Sequence, residues 1–155
     1  MERHFNLGYN NDLENPDYLY LGTAKMIDFE ELKMNNYKNP SFKMILTSHY
    51  NEACANAFAE KLRDNNKDRE YSIEVHGTSI PILVADNVND LKDNTTVYVY
   101  AFMYDEIFKN EGNHQFSIEE VVKPFSMTEI AYKDYKVYYR INQSKEKIKE
   151  LSIKV

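Results

Sequence analysis

The sequence contains few of the residues that cross-link a chain or cradle a phosphate. Among its 155 residues there are one cysteine, no tryptophan, four glycines and four prolines. A single cysteine cannot pair within the chain, which excludes a disulfide scaffold. The glycines, at positions 8, 22, 77 and 112, lie too far apart for a G-x-G-x-x-G or P-loop motif, in which closely spaced backbone amides approach phosphates.

Long apolar runs and metal-ligand spacings are also missing. No run of about 18 apolar residues exists, so the sequence predicts no membrane-spanning helix. The histidines, at positions 4, 49, 76 and 114, form no H-x-x-x-H pattern, and we expect no metal site. No G-x-S-x-G elbow is present, which argues against an α/β-hydrolase. Residues 1–5 lack the apolar stretch of a signal peptide, and with one cysteine this predicts a cytoplasmic protein.

Aromatic side chains and acidic charge are plentiful by comparison. Thirteen tyrosines and eight phenylalanines suit half-buried strands and pocket walls. The net charge of −6 argues against wide, non-specific binding of nucleic acid. Residues 140–155 carry five basic and two acidic side chains, which gives the acidic body a basic tail. This tail could contact a nucleotide or RNA, or form the solvated face of a helix.

The first half of the chain predicts two strands and two helical segments. Strands are expected over 18–21 and 42–47, and one or two helical turns after Asp28, which has a glutamate three residues later. A longer helix is expected after a capping Ser48. Its apolar face repeats every four residues and is flanked by alanines that let it lie close to a sheet: Tyr50, Cys54, Phe58 and Leu62, with Ala53 and Ala57.

The second half is rich in predicted strands, so the whole chain predicts a single α+β domain over 1–155. The most regular strand, 95–102, is β-branched or aromatic almost throughout, as in a strand covered on both faces. An irregular arm over 1–17 and a short terminal helix over 144–151 complete the expected domain. The other expected strands cover 71–75, 78–85, 114–118, 127–132 and 136–141.

Three segments, taken in order, resemble the ADP-ribosyltransferase-like superfamily, which includes the poly-ADP-ribose polymerases, bacterial toxins and RNA 2′-phosphotransferases. They are residues 18–24 (YLYLGTA), residues 45–59 (ILTSHYNEACANAFA) and residues 115–124 (QFSIEEVVKP). In that family a first strand reading Leu-Tyr-His-Gly-Thr, or with Arg for His, begins the nucleotide site. A second strand ending in Ser or Thr leads into an Ala-rich helix, and a later strand brings a glutamate.

The resemblance implies a curved, split antiparallel sheet that clamps NAD as the cofactor. It implies that the first strand places Tyr20, Gly22 and Thr23 at the nucleotide, with the backbone near Gly22 holding the nicotinamide amide. It also implies that the Thr47 hydroxyl lines the ribose and that Tyr50 stacks on the ring. These five residues are therefore the expected cofactor-binding residues.

The resemblance implies that Glu120, or less favourably Glu119, is catalytic and bonds the ribose 2′-hydroxyl. Cleavage of the glycosidic bond builds positive charge on the ribose, and a fixed carboxylate stabilises that charge as it forms. The alternative is that Glu119 and Glu120 have no catalytic role and form an acidic pair at a solvated strand end. Leu21 replaces the family's His or Arg and cannot donate, a loss of about 1–3 kcal/mol in a closed site. A catalytically degenerate nucleotide-binding protein is thus one form of the hypothesis.

Two other functions are open from the sequence. A non-enzymatic binding or inhibitor module of phage or mobile-element origin would act through a protein interface, where tyrosine is enriched. RNA-end processing is the third hypothesis, and its extra support is the basic tail over 145–154. The related phosphotransferases need several Arg and His residues in the site, whereas this chain has four arginines.

Overall fold

The computed structural model describes residues 12–38, 42–65, 72–74, 82–85, 91–134, 138–141 and 148–150. Over these ranges the chain is an α+β protein with ten strands, two α-helices and one turn of 3-10 helix at Tyr132–Asp134. The helices are α1 (Phe29–Lys38) and α2 (Tyr50–Asn65). The strands are β1 (Tyr18–Thr23), β2 (Met44–Thr47), β3 (Ser72–Glu74), β4 (Ile82–Ala85), β5 (Thr96–Met103), β6 (Lys109–Gly112), β7 (Gln115–Ile118), β8 (Ser126–Ala131), β9 (Tyr138–Ile141) and β10 (Ile148–Glu150).

Six strands form an antiparallel sheet in the order β6-β7-β2-β1-β5-β8. β1 pairs with β5 along its whole length, from Tyr18 opposite Met103 to Thr23 opposite Tyr98. On its other side β1 meets β2 through one residue pair, Tyr20 opposite Thr47. The two halves of the sheet are therefore joined by a single residue pair between β1 and β2.

The remaining four strands form a second sheet in the order β10-β9-β4-β3, in which β4 and β9 are parallel. The helix predicted over 144–151 is wrong at 148–150, because these residues form β10 and pair antiparallel with β9. Helix propensity differs by only a few tenths of a kcal/mol between ordinary residues, and pairing with a neighbouring strand overrides it. Residues 144–147 and 151, like residues 1–11 of the expected arm, lie outside the described residues.

Two apolar clusters cover the two faces of the six-stranded sheet. Helix α2 lies over β1 and β5 on one face, and its predicted apolar stripe is buried there, including the Cys54 thiol. The opposite face holds a second cluster, against which Phe29 of α1 packs edge-on to Tyr100. Alternate residues of β5 enter the two clusters, which confirms the prediction that this strand is covered on both faces.

The N-termini of the two helices are capped by side chains of different types. Asp28 caps α1 as predicted, since its Oδ1 accepts from the amides of Glu30 and Glu31 at 3.1 Å. The predicted cap of α2 is wrong: Ser48 Oγ donates to the Leu13 carbonyl at 2.8 Å, and His49 is the capping residue. Within the described ranges, neither helix is both long and apolar enough to cross a membrane.

Candidate functional site

A narrow hollow, the β1–β2 cleft, opens beside the single residue pair that joins β1 to β2. Its volume is about 60 Å³, enough for a few water molecules or a small functional group. Pockets that enclose a whole small ligand are larger, roughly 300–1,000 Å³. Strands β1, β2 and β7 and the first half of α2 supply its lining: Tyr20, Leu21, Gly22, Ile45, Leu46, Thr47, Ala53, Asn56 and Gln115.

Gly22 brings α2 close to the cleft. A Cβ built on Gly22 would stand 1.8 Å from the Ala53 carbonyl oxygen and 3.2 Å from the Ala57 Cβ. Only a residue without a side chain lets the helix backbone approach the strand this closely. Close packing is thus one sufficient reason for glycine here, and the same approach places Ala53 and Asn56 in the cleft wall.

Three of the residues expected at the cofactor meet in this cleft. Tyr20, Gly22 and Thr47 all line it. Tyr50 does not: it is buried beneath, and its ring meets the Tyr20 ring edge-on with centroids 5.2 Å apart. Thr23 is the last residue of β1, and its Oγ1 donates to the Lys25 carbonyl at 2.8 Å.

The expected catalytic glutamate lies elsewhere. Glu119 and Glu120 are exposed and line a separate, open hollow of about 390 Å³ together with Lys109 and Ser117. Strand β7 has Gln115 opposite Thr47 at the cleft and Ile118 opposite Met44 at its other end. Glu120 follows that other end, so the structure does not bring it into the cleft with Tyr20, Gly22 and Thr47.

Two carboxamide side chains at the cleft were missed by the sequence reasoning. Gln115 begins β7 and faces the cleft beside Thr47, its partner in the neighbouring strand. Asn56 lies on α2 three residues after Ala53, on the same face of the helix. The i, i+3 spacing could have indicated Asn56 once Ala53 was placed against the sheet.

A buried hydrogen-bond network stands directly behind the cleft wall. Thr47 Oγ1 donates to Glu52 Oε1 at 3.0 Å and accepts from the His49 amide at 3.0 Å. Glu52 is 6% exposed and lies in the first turn of α2, where the positive end of the helix dipole stabilises a carboxylate. One hydrogen bond therefore separates a buried carboxylate from the cleft.

Tyr20, which lines the cleft, carries a buried hydroxyl. Tyr20 is 1% exposed, and its hydroxyl oxygen meets no hydrogen-bond partner among the described residues. Burial raises the pKa of the Tyr20 phenol above its ordinary value. The group therefore keeps its proton and can donate a hydrogen bond.

Two histidines connect the start of α2 to the chain around it. The rings of His49 and His114 are 6.1 Å apart, and His114 Nε2 lies 3.8 Å from Glu14 Oε2. The His114 carbonyl accepts from the Ser48 amide at 3.0 Å. In the part of the chain that the structure describes, no group of three or more His, Cys, Asp or Glu side chains is placed to hold a metal ion.

The chain matches no family model, and comparison with curated proteins and with solved structures gives no match.

Proposed function

We propose that this chain is an ADP-ribosyltransferase-like protein that binds NAD or a related nucleotide at the β1–β2 cleft without catalysing transfer. The observation that carries the proposal is that Tyr20, Gly22 and Thr47 line one cleft. These residues belong to two of the three segments that resemble the family, and they are far apart in sequence. The junction between β1 and β2 supports the same proposal, since the cleft opens where one residue pair joins the strands.

The lining of the cleft favours binding over catalysis. None of the nine described residues that line the cleft carries a carboxylate. The residue that β7 contributes to the lining is Gln115. A carboxamide is neutral and cannot stabilise developing positive charge on a ribose as a carboxylate would. Leu21, in the position of the family's His or Arg, also lines the cleft and donates nothing.

The size of the cleft limits which part of a nucleotide enters. At about 60 Å³ it admits one end group, and the remainder must lie across the open surface of the sheet. Ile45 is 44% exposed on β2 and offers an apolar surface on which a ring can rest. We therefore expect modest affinity and a ligand that stays largely accessible to solvent.

Calorimetric titration with NAD and with ADP-ribose tests this function. Wild type should bind at least one of them, and Gln115→Ala should weaken that binding about tenfold, the effect of one lost hydrogen bond of about 1.4 kcal/mol. Glu129→Gln, an exposed position on β8, is the control and should bind as wild type. Failure of both nucleotides to bind overturns the proposal.

A separate assay addresses the catalytic form of the hypothesis. Wild type incubated with labelled NAD should neither hydrolyse it nor transfer ADP-ribose. If it does, and Glu120→Gln abolishes the activity, the reacting ribose lies at the 390 Å³ hollow rather than at the β1–β2 cleft. That result would replace our non-catalytic proposal with an enzymatic one.

An apolar corner of the sheet favours a binding module as the second candidate. Met103 and Phe125 are 59% and 45% exposed, and the Phe125 ring lies 5.6 Å from that of Tyr18, which pairs with Met103. Exposed aromatic and methionine side chains are typical of protein interfaces. Recovery of a stoichiometric partner by wild type but not by Phe125→Ser, with no nucleotide bound, would favour this function.

A further inference from the structure

We infer that two copies of this chain associate through β8, and that their β8 strands pair antiparallel about a twofold axis at Thr128. The contact joins the six-stranded sheet of one copy to that of the other. Such a dimer does not depend on a nucleotide at the β1–β2 cleft, so it goes beyond the proposed function.

Strand β8 differs from the other edge strands of the two sheets. In the described ranges the edges are β6, β8, β3 and β10. β3 and β10 are three residues long, while β6 has an exposed Lys109 and a register shift against β7. Short strands, lysines and irregular pairing keep an edge from joining another strand. β8 lacks these protections: it has six residues, pairs with β5 in continuous register and carries one charged residue, Glu129.

The outer side of β8 presents backbone groups at regular intervals. The Tyr132 amide, directly after β8, donates to the Thr95 carbonyl, directly before β5, at 2.8 Å. The backbone groups of successive strand residues point to opposite sides, so those of every second residue before Tyr132 also point to β5. The amides and carbonyls of the residues between them point to the free edge. These residues are Met127, Glu129 and Ala131.

A second copy can meet this edge with Thr128 on the axis. Met127 of each copy then lies opposite Glu129 of the other, and each such pair exchanges amide-to-carbonyl hydrogen bonds. The two Thr128 side chains face each other, a favourable cross-strand pair. The two Glu129 side chains become diagonal neighbours about 7–8 Å apart, with an apolar side chain opposite each.

Neighbouring registers are less favourable. An axis at Glu129 places the two carboxylates directly opposite each other, which is destabilising. An axis at Ile130 leaves only residues 129–131 of each strand to pair, because β8 ends at Ala131. The Thr128 register pairs residues 126–130 of each copy and separates the like charges, so both strand length and charge select it.

Exposed apolar side chains lie beside the same edge. Met127 is on β8, Phe125 directly precedes it, and Met103 ends the neighbouring β5. In the Thr128 register Phe125 of each copy lies opposite Ala131 of the other, whose methyl group leaves room for the ring. Association therefore removes apolar surface from water in addition to pairing backbone groups. A second copy supplies the same edge and the same side chains, as a twofold interface requires.

Sedimentation velocity on the full chain measures the association. We expect a monomer–dimer equilibrium with a Kd of about 100 μM or lower. A chain that stays monomeric at about ten times that concentration overturns the inference, whatever other protein pairs with the edge. An assembly larger than a dimer also overturns it, because the twofold pairing uses up both β8 edges.

Two substitutions of Met127 test the register. Met127→Lys places a cation opposite Glu129 of the other copy, and Met127→Glu places an anion there. We expect the dimer of Met127→Glu to be at least about tenfold weaker than that of Met127→Lys, with a smaller difference at raised NaCl. Met34→Lys and Met34→Glu, exposed on α1, are the matched controls and should dimerise alike. Equal Kd values for the two Met127 variants overturn the register.

Disulfide trapping tests the position of the axis without relying on affinity. In Thr128→Cys the two thiols would face each other with Cβ atoms about 4.5–5.5 Å apart, near the span of a disulfide. The native Cys54 is buried and offers no competing thiol. With oxidised glutathione, we expect Thr128→Cys to form a covalent dimer at least about tenfold faster than Glu129→Cys, whose thiols would be diagonal. Equal or faster trapping of Glu129→Cys overturns the axis at Thr128.

Discussion

The Cβ position of Gly22 lies 1.8 Å from the carbonyl oxygen of Ala53, so β1 and α2 meet backbone to backbone. Any side chain at Gly22 would displace the helix, because a carbonyl group cannot turn aside as the end of a flexible side chain can. Gly22 and Ala53 also line the β1–β2 cleft. The packing of the helix and the width of the cleft therefore depend on the same contact.

Gly22→Ala should destabilise the fold strongly. We expect a loss of about 3 kcal/mol in the free energy of unfolding, at the upper end of the cost of overpacking. Urea denaturation measures it. Gly112→Ala is the control, since nothing lies within 4 Å of its Cβ position and only its φ of 88° opposes a side chain, at about 1–2 kcal/mol. Equal losses at the two glycines would contradict the close contact.

The Thr47 hydroxyl should contribute more to the free energy of unfolding than the Thr47 methyl group does. Thr47→Val removes the donor to Glu52 and the acceptor of the His49 amide, both of them buried. A buried carboxylate that loses a donor costs about 2–3 kcal/mol. Thr47→Ser keeps the hydroxyl and should cost about 1 kcal/mol through the lost methyl group. Chemical denaturation of both variants decides the point, and a cost for valine no greater than for serine would refute it.

Low pH should destabilise the β6–β7 hairpin, because it protonates Glu111. The hydrogen bond from Ser117 Oγ holds the pKa of Glu111 below its ordinary value, and Lys43 Nζ adds to this at 3.5 Å. Because the folded-state pKa is lowered, the stabilisation is complete above about pH 4.3 and is lost as the pH falls through the lowered pKa. Ser117→Ala should raise the pKa of Glu111 and make the free energy of unfolding less sensitive to acid.

Carboxyl ¹³C NMR titration of Glu111 measures this directly. Ser126→Ala, at a buried hydroxyl that meets no partner among the described residues, is the control and should leave the titration of Glu111 unchanged. A Glu111 pKa that is the same in Ser117→Ala and in wild type would show that the hydroxyl does not stabilise the carboxylate.

The sequence predicts the helices and strands whose buried residues recur at a regular spacing. The four-residue repeat from Tyr50 to Leu62 predicted α2, and the β-branched and aromatic run predicted β5. Strand β6 offers no such pattern, because all four of its residues are exposed. It exists because the hairpin to β7 turns through Gly112, Asn113 and His114, whose φ angles are 88°, 54° and 66°.

The site was harder to predict because it depends on strand register. Glycine, threonine and tyrosine positions could be placed from the resemblance, and three of them do share a cleft. Whether Gln115 or Glu120 faces that cleft depends on the pairing of Thr47 with Gln115, two residues 68 positions apart. A strand's own sequence does not fix which end of it meets a distant partner.

Tyr20→Phe should weaken ligand binding without destabilising the fold. The Tyr20 hydroxyl is buried with no partner among the described residues, so its removal should leave the free energy of unfolding unchanged or raise it by up to about 1 kcal/mol. If the hydroxyl donates to a ligand, binding of ADP-ribose should weaken about tenfold. Thermal unfolding and calorimetry on the same protein measure the two effects.

Tyr100→Phe is the matched control for that change. Its hydroxyl accepts a hydrogen bond from the Ile27 amide at 2.8 Å, on the face of the sheet away from α2, so its removal should cost about 1–2 kcal/mol and leave binding intact. A similar loss of stability at Tyr20 would mean that its hydroxyl has a structural partner. Unchanged ADP-ribose affinity in Tyr20→Phe would show that the ligand does not use this hydroxyl, because the substitution removes the only hydrogen-bonding group that the side chain has.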